Sequence, residues 1–372
     1  MRLLISGGGT GGHVYPALTV AASIQSQASA KRDRVELLYV GRADSPEERL
    51  ARRAQIPFQA IQVGGVRGLA PWTATRNLWR GYRSVGRVRA VIRSFKPSAI
   101  FATGGYVSAP VIWAGAAEHV PSVIYLPDLE PGWAIRAAAH WATRVAVSFP
   151  EVEKHFARGK VVVTGYPVRT EFFNIDKTSA RLRFNLDPNA RTVTIFGGST
   201  GAHHINQAAV SNLAELARLA QIVHLTGRND EVWVNEEVSR LPNDLRARVR
   251  VFGYLDDELP LALAAADVVV ARAGAATLGE FPALGLPAIL VPYPYAGRHQ
   301  ERNADFLVAR GAAIKLDDAA LERELIPTLK NLFGAPASAK LKTMSDAMRA
   351  LAQPRAAENI AALLQTLIGA RE

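Results

Sequence analysis

The sequence predicts two α/β domains, each a parallel sheet with helices on both faces. Two observations carry this. The loop Gly7-Gly8-Gly9-Thr10-Gly11-Gly12-His13 follows the first apolar run, and a near-copy, Gly197-Gly198-Ser199-Thr200-Gly201-Ala202-His203, follows another about half a chain later. Strand-like apolar runs also alternate with helix-like stretches from end to end, the pattern of buried parallel sheets. A glycine turn lets backbone N–H groups approach a ligand. The helix behind it offers unpaired N–H groups and a positive dipole end, which suits phosphate. Two such units suggest a diphosphate-carrying substrate, and 372 residues are enough for two domains.

In chain order, the first set of expected strands is Leu3–Ser6, Glu36–Val40, Ala99–Ala102, Ser122–Tyr125, Arg144–Ser148 and Lys160–Thr164. The second set is Thr192–Phe196, Gln221–Leu225, Val249–Phe252, Val268–Ala271 and Ala288–Val291. Between them Thr164-Gly165-Tyr166-Pro167-Val168-Arg169 combines Gly and Pro and reads as the hinge. The expected division is 1–165, 166–350 and a C-terminal segment 351–372, whose stretch from Pro354 to Leu367 reads as an amphipathic helix packing back toward the first domain.

There is no Cys, which excludes disulfides and thiolate metal sites and fits a reducing compartment. The first apolar run is too short for a signal peptide, and no stretch reaches membrane-span length. A cytoplasmic chain is expected. The formal charge of +11 favours anionic partners. From Val66 to Lys96 there are eight basic residues and no acidic one, interleaved with Trp72, Leu78, Trp79, Tyr82, Val85 and Val88. Trp72, Arg76, Trp79, Arg80 and Arg83 have the chemistry of a surface that touches an anionic membrane. A solvated helix with a core stripe is the competing reading.

Gly8-Gly9-Thr10-Gly11-Gly12-His13-Val14-Tyr15-Pro16-Ala17-Leu18 resembles the opening loop of the MurG family of glycosyltransferases. Thr103-Gly104-Gly105-Tyr106-Val107-Ser108-Ala109-Pro110 resembles its second glycine loop, and Gly197 to Ala202 its third. Thr164 to Arg169 resembles the family hinge, with Tyr166 where Asn is usual. Arg272-Ala273-Gly274-Ala275-Ala276-Thr277-Leu278-Gly279-Glu280 and Gln300-Glu301-Arg302-Asn303-Ala304 resemble its nucleotide-sugar signature. The set recurs in order from residue 1 to about residue 312. The resemblance implies a GT-B fold of two Rossmann-like doubly wound domains facing a cleft, and inverting transfer with no metal or other cofactor. It also implies N-acetylglucosamine passing from UDP-N-acetylglucosamine to lipid I at the cytoplasmic membrane face, making lipid II for peptidoglycan. The first domain would then hold the polyprenyl-pyrophosphate-linked acceptor and the second the UDP-sugar.

Each motif has residue types suited to that work. Ala275, Ala276 and Thr277 follow a strand and open a helix, where their N–H groups and the Thr277 hydroxyl can hold a diphosphate. Glu280 can clamp the ribose diol, because a carboxylate accepts two hydroxyl hydrogen bonds; a Thr277–Glu280 capping pair is the structural alternative. Gln300 and Asn303, spaced i, i+3, can share a helix face toward sugar hydroxyls. Arg169 can cap the diphosphate. Thr10, Gly11, Gly12 and Ser199 complete the expected donor contacts. Leu255 matches the family position whose backbone recognises uracil, and Gly104, Gly105 and Tyr106 match the acceptor loop.

His13 is the expected general base, since imidazole titrates near neutrality. The segment Tyr125-Leu126-Pro127-Asp128 departs from the family's His-Glu-Gln-Asn. Asp128 is therefore a second candidate base, or an orienter of His13, and the departure concerns the acceptor. Competing readings are a GT-B transferase with another lipid acceptor and an NAD(P)-dependent oxidoreductase with Glu36 as its ribose carboxylate. A nucleic-acid binder rests on charge alone, with no binding motif behind it.

Overall fold

In β1 (Arg2–Ser6), Leu3 and Ile5 lie in one apolar cluster and Leu4 in another. Alternation along the strand thus builds a core on each face of the sheet. Ile100 and Phe101 divide in the same way, as do Val123 and Ile124. The computed structural model describes residues 1–9, 11–62, 84–198, 201–294, 299–334 and 337–370. The chain divides into two units, Met1–Arg169 with Arg355–Glu372, and Thr170–Pro354.

The first unit adds β2 (Glu36–Gly41), β3 (Phe58–Ala60), β4 (Ala99–Ala102), β5 (Ser122–Leu126), β6 (Arg144–Val147) and β7 (Val161–Val163). Its parallel sheet has the order β3-β2-β1-β4-β5-β6-β7. Its helices are α1 (Gly11–Lys31), α2 (Pro46–Arg53), α3 (84–95), α4 (Ser108–Ala117) and α5 (Trp133–Trp141).

The second unit has β8 (Thr192–Phe196), β9 (Gln221–Leu225), β10 (Val249–Phe252), β11 (Val268–Ala271), β12 (Ala288–Leu290) and β13 (Ala313–Lys315), in the parallel order β10-β9-β8-β11-β12-β13. Its helices are α6 (Lys177–Arg183), α7 (His203–Ser211), α8 (Leu213–Leu219), α9 (Glu231–Ser239), α10 (Asn243–Arg246), α11 (Leu259–Ala264), α12 (Glu280–Leu284), α13 (His299–Ala309), α14 (Leu321–Phe333) and α15 (Ala337–Arg349). The last helix, α16 (Ala356–Gly369), returns to the first unit, where Ile360, Ala361 and Leu364 pack with Leu3, Ile5, Ala17 and Val20.

Three features differ from the sequence reading. β3 and β13 are three-residue edge strands, too short for a period-two signal, and Gln59 and Ala60 are exposed. The break falls after Arg169 rather than at 165, because the hinge residues join the first core: Tyr166 is buried edge-on to Tyr125 with centroids 6.3 Å apart. The second break falls after Pro354 rather than at 350. In α3, Val88 and Ile92 are buried, while Arg89 and Arg93 ion-pair with Glu118 at 2.6 and 3.0 Å. Those two bonds, Arg93 first, lower the Glu118 carboxyl. This half of the basic run is a solvated helix with a core stripe.

Candidate active site

Each sheet reverses its winding once, between β1 and β4 and between β8 and β11. Ligands of doubly wound sheets collect at the strand carboxyl ends beside such a point. The first and second glycine loops follow β1 and β4; the third glycine loop and the stretch from Arg272 follow β8 and β11. Topology therefore pairs segments that lie far apart in sequence.

In the first unit, His13 stands in the opening turn of α1. Its Nδ1 lies 2.8 Å from the Thr103 carbonyl oxygen, and the Thr103 hydroxyl donates to the His13 carbonyl at 2.6 Å. A carbonyl only accepts, so Nδ1 carries the proton and the neutral ring keeps its lone pair on Nε2. That nitrogen has no hydrogen-bond partner among the described residues. Gly104, at φ +103°, lies against the ring, where a Cβ would come within 3.0 Å of Nδ1. Pro16 has no N–H for the Gly12 carbonyl; the Tyr166 hydroxyl approaches that carbonyl at 3.5 Å.

Asp128 is expected as a second base or an orienter of His13; at Nδ1 the partner is the Thr103 carbonyl. Asp128 is half-buried beyond β5, and its charge adds to burial in raising the Tyr125 phenol, against the hydrogen bond with Ser148. Tyr106, beside Gly105, is exposed and tilted against Trp133, with centroids 6.5 Å apart. Arg169 lies 4.6 Å over the Tyr15 ring, a cation–π contact.

Sequence reasoning missed the support beneath the first loop. Glu47 is almost wholly buried at the start of α2 and accepts from the Gly9 N–H at 3.4 Å. The Tyr39 hydroxyl donates to the Gly7 carbonyl at 2.6 Å. Burial, with the Glu47 charge second, pushes that phenol up. In the sequence Glu47 reads as an ordinary acidic first turn after the Ser45 cap, so nothing local marks it.

In the second unit, Ala275–Leu278 is a single 3₁₀ turn that leads through Gly279 into α12. Thr277 turns inward: its N–H and its hydroxyl both donate to the Gly274 carbonyl, at 3.0 and 2.7 Å. The N–H groups of Ala275 and Ala276 have no partner among the described residues. The Thr277–Glu280 capping pair does not form, because Gly279 is the cap and no side chain bonds there. Glu280 is buried at the head of α12.

Gln300 and Asn303, expected to share a helix face, are differently placed. Asn303 is fully buried and its amide donates to the Ala273 carbonyl at 3.0 Å, tying α13 to the nucleotide loop. Gln300 is half-buried and accepts from the Tyr293 N–H at 2.9 Å. Arg272 is held by the Val291 carbonyl at 3.1 Å and by Asp318. Leu255 is buried with Phe184, Leu186 and Val223.

The expected glycine-loop contacts Gly11 and Gly12 open α1. Thr10, Ser199, Trp72, Arg76, Trp79, Arg80 and Arg83 lie outside the described residues. Among the described residues, no group of three or more His, Asp or Glu side chains could hold a metal ion. No described helix is long and apolar enough to cross a membrane.

The glycosyltransferase family 28 N-terminal domain matches residues 3–147 and its C-terminal domain residues 192–360. A Roseiflexus sp. (strain RS-1) protein named UDP-N-acetylglucosamine--N-acetylmuramyl-(pentapeptide) pyrophosphoryl-undecaprenol N-acetylglucosamine transferase is 39% identical, over 100% of this chain and 96% of its own length. The chain belongs to glycosyltransferase family 28, in its MurG branch. The Bacillus subtilis (strain 168) protein of the same name is 35% identical over 99% of both chains. The crystal structure of Acinetobacter baumannii MurG superposes with a TM-score of 0.75 at 25% identity, covering 98% of this chain and 99% of that one. Both units are the parallel-sheet α/β domains of a GT-B glycosyltransferase. The dinucleotide alternative falls on geometry as well. Glu36 begins β2 and pairs with Arg2 at 3.0 Å, at the edge opposite the glycine loop, whereas a ribose carboxylate belongs at the carboxyl end.

Proposed function

We propose that this chain transfers N-acetylglucosamine from UDP-N-acetylglucosamine to undecaprenyl-pyrophosphoryl-N-acetylmuramyl-pentapeptide, lipid I, forming lipid II. End-to-end identity with transferases named for that reaction carries the reading. In the second unit the Ala275 and Ala276 N–H groups hold the diphosphate and Glu280 takes the ribose. Asn303 acts indirectly, by fixing the nucleotide loop.

In the first unit His13 Nε2 removes the proton of the acceptor hydroxyl. That oxygen attacks the anomeric carbon from the face opposite UDP, a new C–O bond forms with inversion, and UDP leaves with the bonding electron pair. Oriented N–H groups stabilise the charge that grows on the leaving diphosphate. The reading calls for no metal or cofactor. Trp72, Arg76, Trp79, Arg80 and Arg83 bring the enzyme to the anionic cytoplasmic face of the membrane, where a lipid-linked acceptor resides.

Thin-layer analysis of product from labelled UDP-N-acetylglucosamine and lipid I tests the reading. Labelled lipid II is expected. Label passing only to a different lipid would favour the second reading, a changed acceptor, which Leu126-Pro127-Asp128 motivates.

A further inference from the structure

A cavity of about 210 Å³ opens at the other end of the second sheet, lined by Lys177, Arg191, Lys342 and Arg349 against one carboxylate, Asp267. Asp267 stands before β11 and the nucleotide loop follows it, so the strand's four residues, about 13 Å, separate the two places. The Asp267 carboxylate is already engaged by Arg181 at 2.8 Å, by the Thr192 N–H at 2.9 Å and by Lys177 at 3.2 Å. Lys342 pairs with Asp346 at 3.2 Å. α11 and α12 end here, and a helix end contributes at most about half a negative charge.

The two arginines remain. Both line the cavity, and neither guanidinium donates a hydrogen bond to a described residue, so each keeps spare N–H donors there. Each lies against one neighbour. Arg191 lies 5.8 Å from the Phe333 ring centroid. Arg349 runs along Gly285, at φ +61°, where a Cβ would come within 2.4 Å of its Cγ and Nε, so only glycine admits the arginine stem. The Ser345 hydroxyl secures that turn by donating to the Gly285 carbonyl at 2.7 Å. Planar forks with spare donors match phosphoryl oxygens bidentately.

We propose that this cavity binds a phosphoryl anion at a second site, separate from the UDP-sugar site. A small free polyphosphate or a lipid headgroup could supply the anion.

The probe is inorganic pyrophosphate, titrated calorimetrically into full-length protein saturated with UDP, with ionic strength matched by chloride. The wild type should still bind pyrophosphate. Arg349→Ala should weaken that binding at least tenfold and Arg191→Ala with Arg349→Ala should abolish it, with UDP affinity unchanged. Arg349→Lys, which keeps the charge and loses the fork, should recover only part. If the double variant also loses UDP affinity, Lys342→Glu serves instead, because its exposed side chain can be reversed without disturbing the core, and it should likewise weaken pyrophosphate binding. Co-sedimentation with phosphatidylglycerol vesicles separates the sources: loss of retention in the variants, with no binding of free pyrophosphate, assigns the anion to a headgroup. Neither pyrophosphate binding nor variant-sensitive vesicle retention, or pyrophosphate binding that survives the substitutions, overturns the proposal.

Discussion

At the scale of single residues, the tautomer of His13 decides what the first loop can do. Its Nδ1–H is committed to the Thr103 carbonyl, so Nε2 is the atom able to accept a proton. Replacing His13 by Ala should lower turnover by about 10²–10⁴-fold, the range for a lost general base, with UDP affinity little changed. Asp128→Asn should be the milder variant if that assignment holds. If the two residues act as one unit, the double variant should be hardly worse than the poorer single. Near-normal turnover of His13→Ala at saturating donor and acceptor would remove His13 from the role.

At the scale of elements, β9 carries a histidine through the middle of the second core. His224 is fully buried, and its Nε2–H donates to Asn206 Oδ1 at 2.9 Å. The Asn206 amide in turn donates to the Thr226 carbonyl at 2.8 Å and to Asp230 at 2.7 Å, which fixes its oxygen as the acceptor. Burial lowers the His224 imidazole to about 4, against the opposing charge of Asp230. The folded state therefore binds its proton later than the unfolded chain, whose histidine titrates near 6.5. Stability from this group is complete above about pH 6.5 and falls as pH drops toward 4, by about 3 kcal/mol in all. Urea unfolding of the second unit at pH 7 and 4.5 should show the loss. His224→Gln, which can still donate to Asn206, should be less acid-sensitive by about 2 kcal/mol. An identical pH dependence in the two proteins would refute the assignment.

At the scale of the molecule, the chain leaves its first unit after Arg169 and comes back at Arg355. The returning α16 completes the face built by Leu3, Ile5, Ala17 and Val20. Ile360 and Leu364 are fully buried there, and each contributes about 1.5–3 kcal/mol by burial. Deleting 355–372 should thus cost the first unit about 3–6 kcal/mol, a large part of the 5–15 kcal/mol that a domain usually holds. Hydrogen exchange should show lost protection in β1 and α1, while calorimetry finds UDP affinity in the second unit retained. Unchanged protection in β1 would mean that α16 adds nothing to that core.

The sequence by itself determined the two parallel-sheet domains, most strands and the order of the glycine loops. Those signals are local: an apolar run followed by glycine reads the same wherever it folds. Only the tertiary structure decided which polar groups turn inward. Asn303 and Gln300 share a spacing, yet one is buried against Ala273 and the other receives Tyr293. Thr277 closes its own turn, Glu47 lies beneath a loop 38 residues away in sequence, and a carbonyl rather than a carboxylate orients His13. The edge strands β3 and β13 and the unit boundary at Arg169 were fixed the same way. A buried polar group must find a partner, and the crossover topology selects which distant segment supplies it.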